Sequence, residues 1–355
     1  MSILLPSIIA RMKGARAELP KAIYTAEQVR RLDRIAIDEL GISGYELMCR
    51  AGEAALGALR SRWPDARRLA ILCGAGNNAG DGYVLARLAH ERGLEVRAVA
   101  VVPTDRLGGD AKRAWQDYQG QGGKVESFSP DCILSEDVVV DGLLGVGLAR
   151  ELEGDLLAAV QRINTAGRPV LALDIPTGLH ADTGLVLGTA VKAELTITFV
   201  GLKRGLFLGN ALDYRGTLEF SGLAIPVQAY DRVPACMQRL TAEILRGLLL
   251  PRARTAHKGR NGSLLLVGGA PGMSGAIRLA AEAALRAGAG LVRISTHPES
   301  VDSVMAGRAE VMCQGTSTPE ALEKLLMVSD AVVLGPGLGQ SDWAKRVWAE
   351  VLASE

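Results

Sequence analysis

The spacing of apolar residues changes several times along the first two thirds of the chain. Between residues 25 and 40 apolar residues recur every three or four positions, which predicts an amphipathic helix. Thr25 and Gln28 have the spacing of a capping box at its start. A second helix is predicted over residues 45–60. From residue 69 onwards short apolar runs alternate with helical stretches, giving strands at 69–73, 96–102, 137–141, 169–174, 195–199 and 217–220, and helices at 81–92, 109–121 and 152–164.

This alternation predicts the fold class. Strands made of continuous Val, Ile and Leu are typical of a parallel sheet that helices cover on both faces. We therefore predict an α/β fold, a Rossmann-like doubly wound parallel sheet in a three-layer sandwich. A second α/β unit, an incomplete ribokinase-like domain, is expected after it, with strands at 263–268, 291–295 and 331–334 and helices at 276–288 and 342–353.

The chain divides into four predicted regions. Residues 1–20 are expected to be a disordered leader, because their apolar run precedes any basic residue and a signal peptide has the opposite order. Residues 21–225 form the first domain, and the proline-containing stretch 226–258 connects it to the second unit at 259–355.

Composition and charge narrow the set of partners. The chain has 40 basic and 39 acidic residues and few aromatic ones, so it lacks the field that attracts nucleic acids or anionic membranes. No stretch approaches the ~20 apolar residues that span a bilayer. The five cysteines are odd in number, widely spaced and without a Cys-x-x-Cys pair, which indicates neither disulfides nor zinc. We expect a cytoplasmic protein without nucleic-acid or membrane partners.

Polar, glycine-rich segments follow three of the predicted strands, at residues 74–82, 141–150 and 174–178. Ligands of open parallel sheets bind beyond the carboxyl ends of the strands, so these segments predict one shared site. The first segment enters the helix predicted to start at Asp81, and amides at a helix N-terminus suit an anion. The alternative is an ordinary strand-to-helix turn with Asp81 as its cap.

Three kinds of chemistry are possible at these strand ends. Asp174 is a candidate general acid or base, because partial burial raises a carboxyl pKa towards neutrality. Arg150 is a candidate phosphate ligand, with a solvated helix start as the alternative. Asn78, Asp141 and Thr177 all offer oxygen atoms to a monovalent cation, although Asp141 is also compatible with a simple capping role.

The order and spacing of four motifs carry a resemblance. They are Asn-Asn-x-Gly-Asp-Gly at 77–82, Val-Val-Asp-Gly-Leu-Leu-Gly-x-Gly at 139–147, Asp-Ile-Pro-x-Gly at 174–178 and Gly-Leu-Lys-x-Gly at 201–205. Together they resemble the NAD(P)H-hydrate epimerase family, also called the YjeF N-terminal family. The resemblance implies that Asn78, Asp141 and Thr177 hold K⁺. It implies substrate contacts from Asn77, Asn78, Ala79, Gly80, Asp81, Gly145, Val146, Gly147, Leu148, Ala149, Arg150, Glu151 and Asp174.

The second unit resembles the ADP/ATP-dependent NAD(P)H-hydrate dehydratases, which have a ribokinase-like fold. His-Lys-Gly at 257–259, Gly-Gly at 268–269, Ser-Gly-Ala at 274–276 and Leu-Gly-Pro-Gly-Leu-Gly at 334–339 carry this resemblance. It implies that Ala276 and Gly339 contact the substrate, and that a complete domain uses ADP or ATP with Mg²⁺. The family's later motifs are not in this sequence, so we expect a C-terminally truncated chain whose dehydratase half is incomplete and inactive alone.

The two resemblances imply a repair enzyme for hydrated NADH and NADPH. These substrates carry a hydroxyl on a carbon bonded to the ring nitrogen, and loss and return of water interconverts the R and S forms without a redox cofactor. We expect Asp174 to move the proton. A non-catalytic binding module of the same fold is the main alternative, and a Rossmann-type oxidoreductase is a weaker one. The sequence leaves the preference between NADH and NADPH hydrate, and assembly into a homo-oligomer, open.

Overall fold

A computed structural model of the chain describes residues 18–249, 251–306 and 309–354. The chain forms two compact units, the first running up to Leu245 and the second beginning at Arg246. The leader predicted for residues 1–20 lies mostly outside the described residues. Among the described residues, every helix is too short or too polar to cross a membrane.

A parallel sheet forms the centre of the first unit. In the part of the chain that the structure describes, this sheet has seven strands in the order β4-β3-β2-β5-β6-β7-β9, and each neighbouring pair is parallel. Three short strands form a second sheet in the order β10-β1-β8. In chain order the strands are β1 (Ala22–Tyr24), β2 (Arg68–Cys73), β3 (Glu95–Ala100), β4 (Val125–Ser127), β5 (Val138–Gly142), β6 (Val170–Leu173), β7 (Leu195–Phe199), β8 (Leu202–Lys203), β9 (Thr217–Ser221) and β10 (Met237–Gln238).

Helices cover both faces of this sheet, as the apolar runs predict. Along β2, Leu69 and Ile71 pack into one apolar core and Ala70 and Leu72 into another, because successive side chains of a strand point to opposite faces. The doubly wound, three-layer fold class is therefore confirmed. The helices are α1 (Ala26–Arg34), which continues as a π-helical turn at Ile35–Glu39, α2 (Gly44–Arg62), α3 (Asn77–Glu91), α4 (Gly109–Gly120), α5 (Gly154–Thr165), α6 (Ala211–Tyr214), α7 (Val227–Asp231) and α8 (Ala242–Leu248).

The strand order reverses between β2 and β5. The chain proceeds from β2 to β3 and β4 on one side of this point, and from β5 to β6 and β7 on the other. Such a reversal opens a crevice at the carboxyl ends of the strands, where ligands bind in folds of this class. Because β2, β5 and β6 are direct neighbours, the three glycine-rich strand ends lie side by side, as the sequence predicts.

The start of α3 differs from the sequence-based prediction. The helix begins at Asn77, and the N-cap is Gly76 in an extended conformation, so the predicted start at Asp81 is wrong, and so is the alternative in which Asp81 caps the helix. The N–H groups of Ala79 and Gly80 donate to the Gly76 carbonyl at 3.0 and 3.2 Å, which closes the first turn there. The residues interpreted as a loop thus form the first turn and a half of a helix.

The start of α1 agrees with the prediction. The Gln28 N–H donates to Thr25 Oγ1 at 3.1 Å, and the Thr25 N–H donates to Gln28 Oε1 at 2.8 Å. This reciprocal pair is the predicted capping box, which satisfies two backbone donors that a helix start leaves free. The box fixes the direction in which α1 leaves β1.

The second unit is a smaller parallel α/β structure. Its sheet has the strand order β13-β12-β11-β14, and each neighbouring pair is parallel. The strands are β11 (Ser263–Val267), β12 (Leu291–Thr296), β13 (Met312–Gly315) and β14 (Ala331–Leu334), and the helices are α9 (Ser274–Ala287), α10 (Val301–Met305), α11 (Pro319–Met327) and α12 (Asp342–Ala353).

The close packing of α2 on α3 gives a stability prediction. A Cβ atom at Gly52 would lie 2.5 Å from Val84 Cγ1 and 3.0 Å from the Leu85 nitrogen, whereas one at Gly57 on the same helix would have nothing within 4 Å. We expect Gly52→Ala to destabilise the protein by about 1–3 kcal/mol through overpacking. Gly57→Ala should stabilise it by about 0.5–1 kcal/mol, because alanine loses less backbone entropy in a helix. Urea denaturation midpoints of both variants test this, and equal shifts would contradict it.

Candidate active site

A cleft of about 470 Å³ lies at the carboxyl ends of the central strands of the first unit. The start of α3 and the segment after β5 form one part of its wall, and α1 and α2 contribute another. Its lining residues are Val29, Arg30, Asp33, Ile37, Gly44, Leu47, Met48, Ala51, Gly76, Asn77, Asn78, Asp81, Asp110, Leu143, Leu144, Gly145, Val146, Gly147, Asp174, Phe199, Val200, Lys203 and Leu223.

An ion pair between Lys203 and Asp174 lies at the base of this cleft. Lys203 is only 1% exposed, and its ammonium group contacts Asp174 Oδ1 while donating to Thr198 Oγ1 at 3.0 Å and to the Phe199 carbonyl at 2.7 Å. The Phe199 N–H also donates to Asp174 Oδ1, at 3.2 Å. The hydrogen bonds that the Asp174 carboxylate accepts all involve Oδ1, and Oδ2 has no hydrogen bond among the described residues.

The backbone at this position is unusual. Asp174 has a φ of 65° and Val200 one of 64°, both in the left-handed region that non-glycine residues rarely occupy. The Asp174 N–H donates to the Ile197 carbonyl at 2.7 Å. Such conformations persist only where the surrounding structure holds them, and they are concentrated at functional sites. The carboxylate of Asp174 is therefore held in a fixed direction.

Asn78 has a buried amide that faces the cleft. The residue is 6% exposed, and neither its side-chain nitrogen nor its oxygen has a hydrogen-bond partner among the described residues. A Cβ atom at Gly145 would lie 3.6 Å from Asn78 Oδ1 and 3.4 Å from Asp174 Oδ2. A buried amide without partners is costly, so a ligand at this position would stabilise it.

Asp141 and Thr177 contact each other below the cleft. Thr177 donates to Asp141 through its hydroxyl at 2.7 Å and its N–H at 2.8 Å, and the Leu143 N–H adds a bond of 3.2 Å. Burial raises the pKa of Asp141 to about 6, while the bonds from Thr177 and Leu143 lower it. These contacts suit the capping role that the sequence left open. Gly142, the residue after Asp141, lies beside Asn78. A Cβ atom placed on Gly142 would be 3.4 Å from the backbone carbonyl oxygen of Asn78.

The residues around Asn78 suit a monovalent cation better than a transition metal. Asn78, Asp141 and Thr177 offer amide, carboxylate and hydroxyl oxygens, which hard cations prefer. Within the described ranges, no three His, Cys, Asp or Glu side chains come together as a metal site. The unpartnered Asn78 oxygen is the observation in this set that fits a bound ion.

Three further acids line the cleft with Asp174, namely Asp33, Asp81 and Asp110. Burial is the main cause that raises the pKa of Asp33 to about 6; the charge of Asp174 raises it further and that of Lys203 lowers it. Burial is also the main cause that holds the pKa of Asp81 well above its usual range, and the charges of Asp174 and Asp33 raise it further. Sequence reasoning missed Asp33, because it lies in an amphipathic helix before the sheet begins.

Arg30 and Lys203 are the cationic side chains of the lining, and sequence reasoning missed both as site residues. Arg30 lies on α1 and donates to the Val146 carbonyl at 2.9 Å, which joins this helix to the segment after β5. Lys203 had a signal in the sequence, since it stands in the Gly-Leu-Lys-x-Gly motif at 201–205.

The structure brings together part of the predicted substrate-binding set. The residues of that set that line the cleft are Asn77, Asn78, Asp81, Gly145, Val146, Gly147 and Asp174. Ala79 and Gly80 are buried inside the packing of α3. Leu148, Ala149, Arg150 and Glu151 follow in the same segment but do not line the cleft, and Arg150 is exposed.

In the second unit, the predicted contacts lie on neighbouring elements. Gly339 follows β14, and Ala276 lies in the first turn of α9, after β11. The segments after these two adjacent strands are joined by backbone bonds, from the Gly269 N–H to the Pro336 carbonyl at 3.2 Å and from the Ala270 N–H to the Gly337 carbonyl at 2.7 Å.

Two family models match the chain in separate regions. The model described as the YjeF-related protein N-terminus matches residues 44–205, which contain the cleft residues from Gly44 to Lys203. The model described as NAD(P)H-hydrate dehydratase matches residues 264–355. This second match does not test whether the dehydratase half is complete, so that expectation stays a prediction.

Relatives of known description match over most of the chain. The bifunctional NAD(P)H-hydrate repair enzyme Nnr of Coxiella burnetii is 45% identical, over 94% of this chain and 68% of its own length. The enzyme of the same name from Escherichia coli is 42% identical, over 96% of this chain and 66% of its own length. The chain thus spans about two thirds of the length of these relatives.

A solved structure supports the fold of the chain. The crystal structure of yeast ynu0 superposes with a TM-score of 0.51 at 17% identity, over 62% of this chain and 96% of that one. At this identity the likeness shows the fold alone. The two family models and the similarity to the Coxiella burnetii enzyme show more: the chain belongs to the family of bifunctional NAD(P)H-hydrate repair enzymes.

Proposed function

We propose that the first unit interconverts the R and S forms of hydrated NADH and NADPH. The observation that carries this proposal is the carboxylate of Asp174. Lys203 holds it through Oδ1, and its other oxygen, next to Gly145, accepts no hydrogen bond from the part of the chain that the structure describes. A carboxylate fixed in this way at the base of a nucleotide-sized cleft can exchange a proton with a bound ring.

The chemistry requires acid–base assistance and no hydride transfer. When the hydroxyl on the carbon next to the ring nitrogen is protonated, the nitrogen lone pair expels it as water and leaves a cationic C=N bond. Water then returns from either face and loses a proton. Carboxylates near the ring stabilise the transient positive charge, because preorganised charges act strongly where water is excluded.

The nucleotide part of the substrate would bind at the start of α3. This helix has fifteen residues, and its N-cap Gly76 offers no side chain to its first amides. An anion such as a diphosphate is stabilised at a helix N-terminus by free N–H groups and by the helix dipole. Arg30 on the opposite helix adds a cation to the same cleft.

A potassium ion would be held by Asn78, Asp141 and Thr177. The support is the buried Asn78 amide without partners, together with the carboxylate and hydroxyl oxygens next to it in the fold. When bound, the ion would neutralise part of the negative charge that Asp141 and a diphosphate bring to this end of the sheet.

In the second unit, we propose that Ala276 and Gly339 contact the hydrated nucleotide. The support is the pair of backbone bonds that join the segments after β11 and β14, which places both residues at the carboxyl edge of the sheet. Dehydration by this unit would use ADP or ATP with Mg²⁺. Dehydration by this unit is tested by measuring whether ADP or ATP drives recovery of NAD(P)H absorbance from a hydrate sample.

Replacing Asp174 tests the epimerase proposal. We expect Asp174→Asn to slow interconversion about 10²–10⁴-fold, because the amide keeps the shape but does not accept the proton. Chiral chromatography of a mixed hydrate sample over time gives the rate. The control is Asp155→Asn, an exposed acid at the start of α5, which should leave the rate unchanged. A wild-type protein that does not exceed the spontaneous rate would favour a non-catalytic binding module.

Replacing Lys203 tests the ion pair. We expect Lys203→Met to lower the free energy of unfolding by about 3 kcal/mol, since removal of one partner leaves the largely buried Asp174 charge uncompensated. Urea denaturation measures the loss. Lys112→Met, at an exposed position on α4, is the matched control and should change stability by less than about 0.5 kcal/mol. Equal stabilities of the two variants would refute a structural role for the pair.

The cation site gives a prediction that does not depend on activity. At equal ionic strength, we expect KCl to raise the melting temperature relative to tetramethylammonium chloride, because an ion that binds only the folded state stabilises it, by about 2.7 kcal/mol at a hundred times Kd. Asn78→Leu should abolish the difference, and Asn210→Leu, at an exposed position, should retain it. Identical melting of wild-type protein in both salts would rule the site out.

A further inference from the structure

Asp33 is a carboxyl in the cleft that no contact of the fold uses. It is half-buried on α1 and has neither a hydrogen bond nor an ion pair among the described residues. The two acids at the central strand ends do have partners: Asp141 accepts from Thr177, and Asp174 pairs with Lys203. An acid that is partly desolvated without a partner costs stability, which a catalytic role would explain.

The position of Asp33 is fixed by the helix that carries it. Its neighbour Leu32 is fully buried in the core, and the Ala26 N–H at the start of the helix donates to Asp182 Oδ1 at 2.9 Å. One turn before Asp33, Arg30 bonds to the carbonyl of Val146 in the cleft wall. The carboxyl of Asp33 therefore belongs to a helix that contacts the rest of the fold at its first residue and one turn before Asp33.

Asp33 and Asp174 reach the cleft from different layers of the fold. Asp33 comes from a helix that covers the sheet, and Asp174 follows β6 within the sheet. No hydrogen bond joins them, yet the Asp174 charge acts on Asp33. The same cleft holds the buried, unpartnered amide of Asn78, which is an independent indication that a polar ligand binds between these walls.

Epimerisation places two demands on the site. Water must leave from one face of the ring and return to the other, and a carboxyl group on one side serves only that side. A single group that returned the water it removed would regenerate the starting epimer. We propose that Asp33 is the second catalytic acid–base group of the epimerase, acting on the ring face opposite to Asp174. This inference rests on the epimerase function proposed above.

The step is balanced without any further reactant. Protonated Asp33 gives its proton to the ring hydroxyl, the C–O bond breaks with its electron pair on oxygen, and the nitrogen lone pair forms the C=N bond. A water molecule on the Asp174 side then adds to the carbon, and the C=N electron pair returns to nitrogen. The Asp174 carboxylate accepts the proton of that water. The reverse turnover, or proton exchange with solvent, restores Asp33.

The charges around Asp33 suit this cycling. Arg30 on its own helix, Asp81 on α3, Asp110 on α4, Asp174 after β6 and Lys203 on β8 all line the cleft with it. Burial raises the pKa of Asp33 to about 6, with the charge of Lys203 lowering it and that of Asp174 raising it, so both of its protonation states are populated near neutral pH, as an acid–base catalyst requires. The charge of Asp33 also contributes to the raised pKa of Tyr230.

The test compares Asp33→Asn with Asp38→Asn, which replaces an exposed acid one turn beyond the end of α1. Both rates of interconversion are measured between about pH 5 and pH 8, after subtraction of the spontaneous rate at each pH. We expect Asp33→Asn to slow both directions about 10²–10⁴-fold and Asp38→Asn to have no effect. Melting temperatures of the two variants show whether each is folded.

The pH profile separates catalysis from mere positioning. In wild-type protein, the rate should fall above about pH 6 as Asp33 ionises, and Asp33→Asn should lose this alkaline limb. A folded Asp33→Asn protein that keeps the wild-type rate, or a lowered rate with the same limb, overturns the proposal for Asp33. A wild-type protein without any rate above the spontaneous one instead overturns the epimerase function itself, so the two failures are distinct.

Discussion

The ion pair of Lys203 with Asp174 is the contact on which the site depends. An ammonium group that is 1% exposed has lost its water, and three oxygens replace that water: those of Asp174, Thr198 and Phe199. A buried charge is tolerated only with such compensation. These acceptors come from the ends of β6 and β7, and the lysine comes from β8, so the pair ties three strand ends together. The left-handed backbone at Asp174 is held in this arrangement.

The reversal of strand order decides where this pair can act. Because β2 and β5 are neighbours whose connections leave in opposite directions, their carboxyl ends are not covered by a crossing segment. The start of α3 faces the resulting cleft with its free amides, and the segment after β5 lies next to it. The cleft thus has one end where the free amides of a helix suit an anion and an acidic base made by side chains, and both follow from one topological feature.

The sequence predicted the sheet and the convergence of its strand ends because those signals are local. Apolar runs of four to six residues and the glycine-rich segments after them can be read without knowing the packing. Asp33 and Arg30 were missed, since nothing local shows which polar residues of an amphipathic helix will face a cleft formed by later strands. Arg150 was chosen for its place after a glycine-rich segment, yet it is exposed beyond the cleft lining. The start of α3 was misplaced because Gly76, not an acidic residue, caps it.

The charge distribution of the cleft suits the proposed reaction. Four aspartates line it against two cationic side chains, and one of those cations is already bound to Asp174. Such a surface repels a diphosphate but stabilises a ring that becomes positively charged. The proposed epimerisation generates a cationic C=N bond. We therefore place the ring of the substrate near the carboxyls and its diphosphate near the amides of α3 and Arg30. In this arrangement, each part of the substrate faces the charge that suits it.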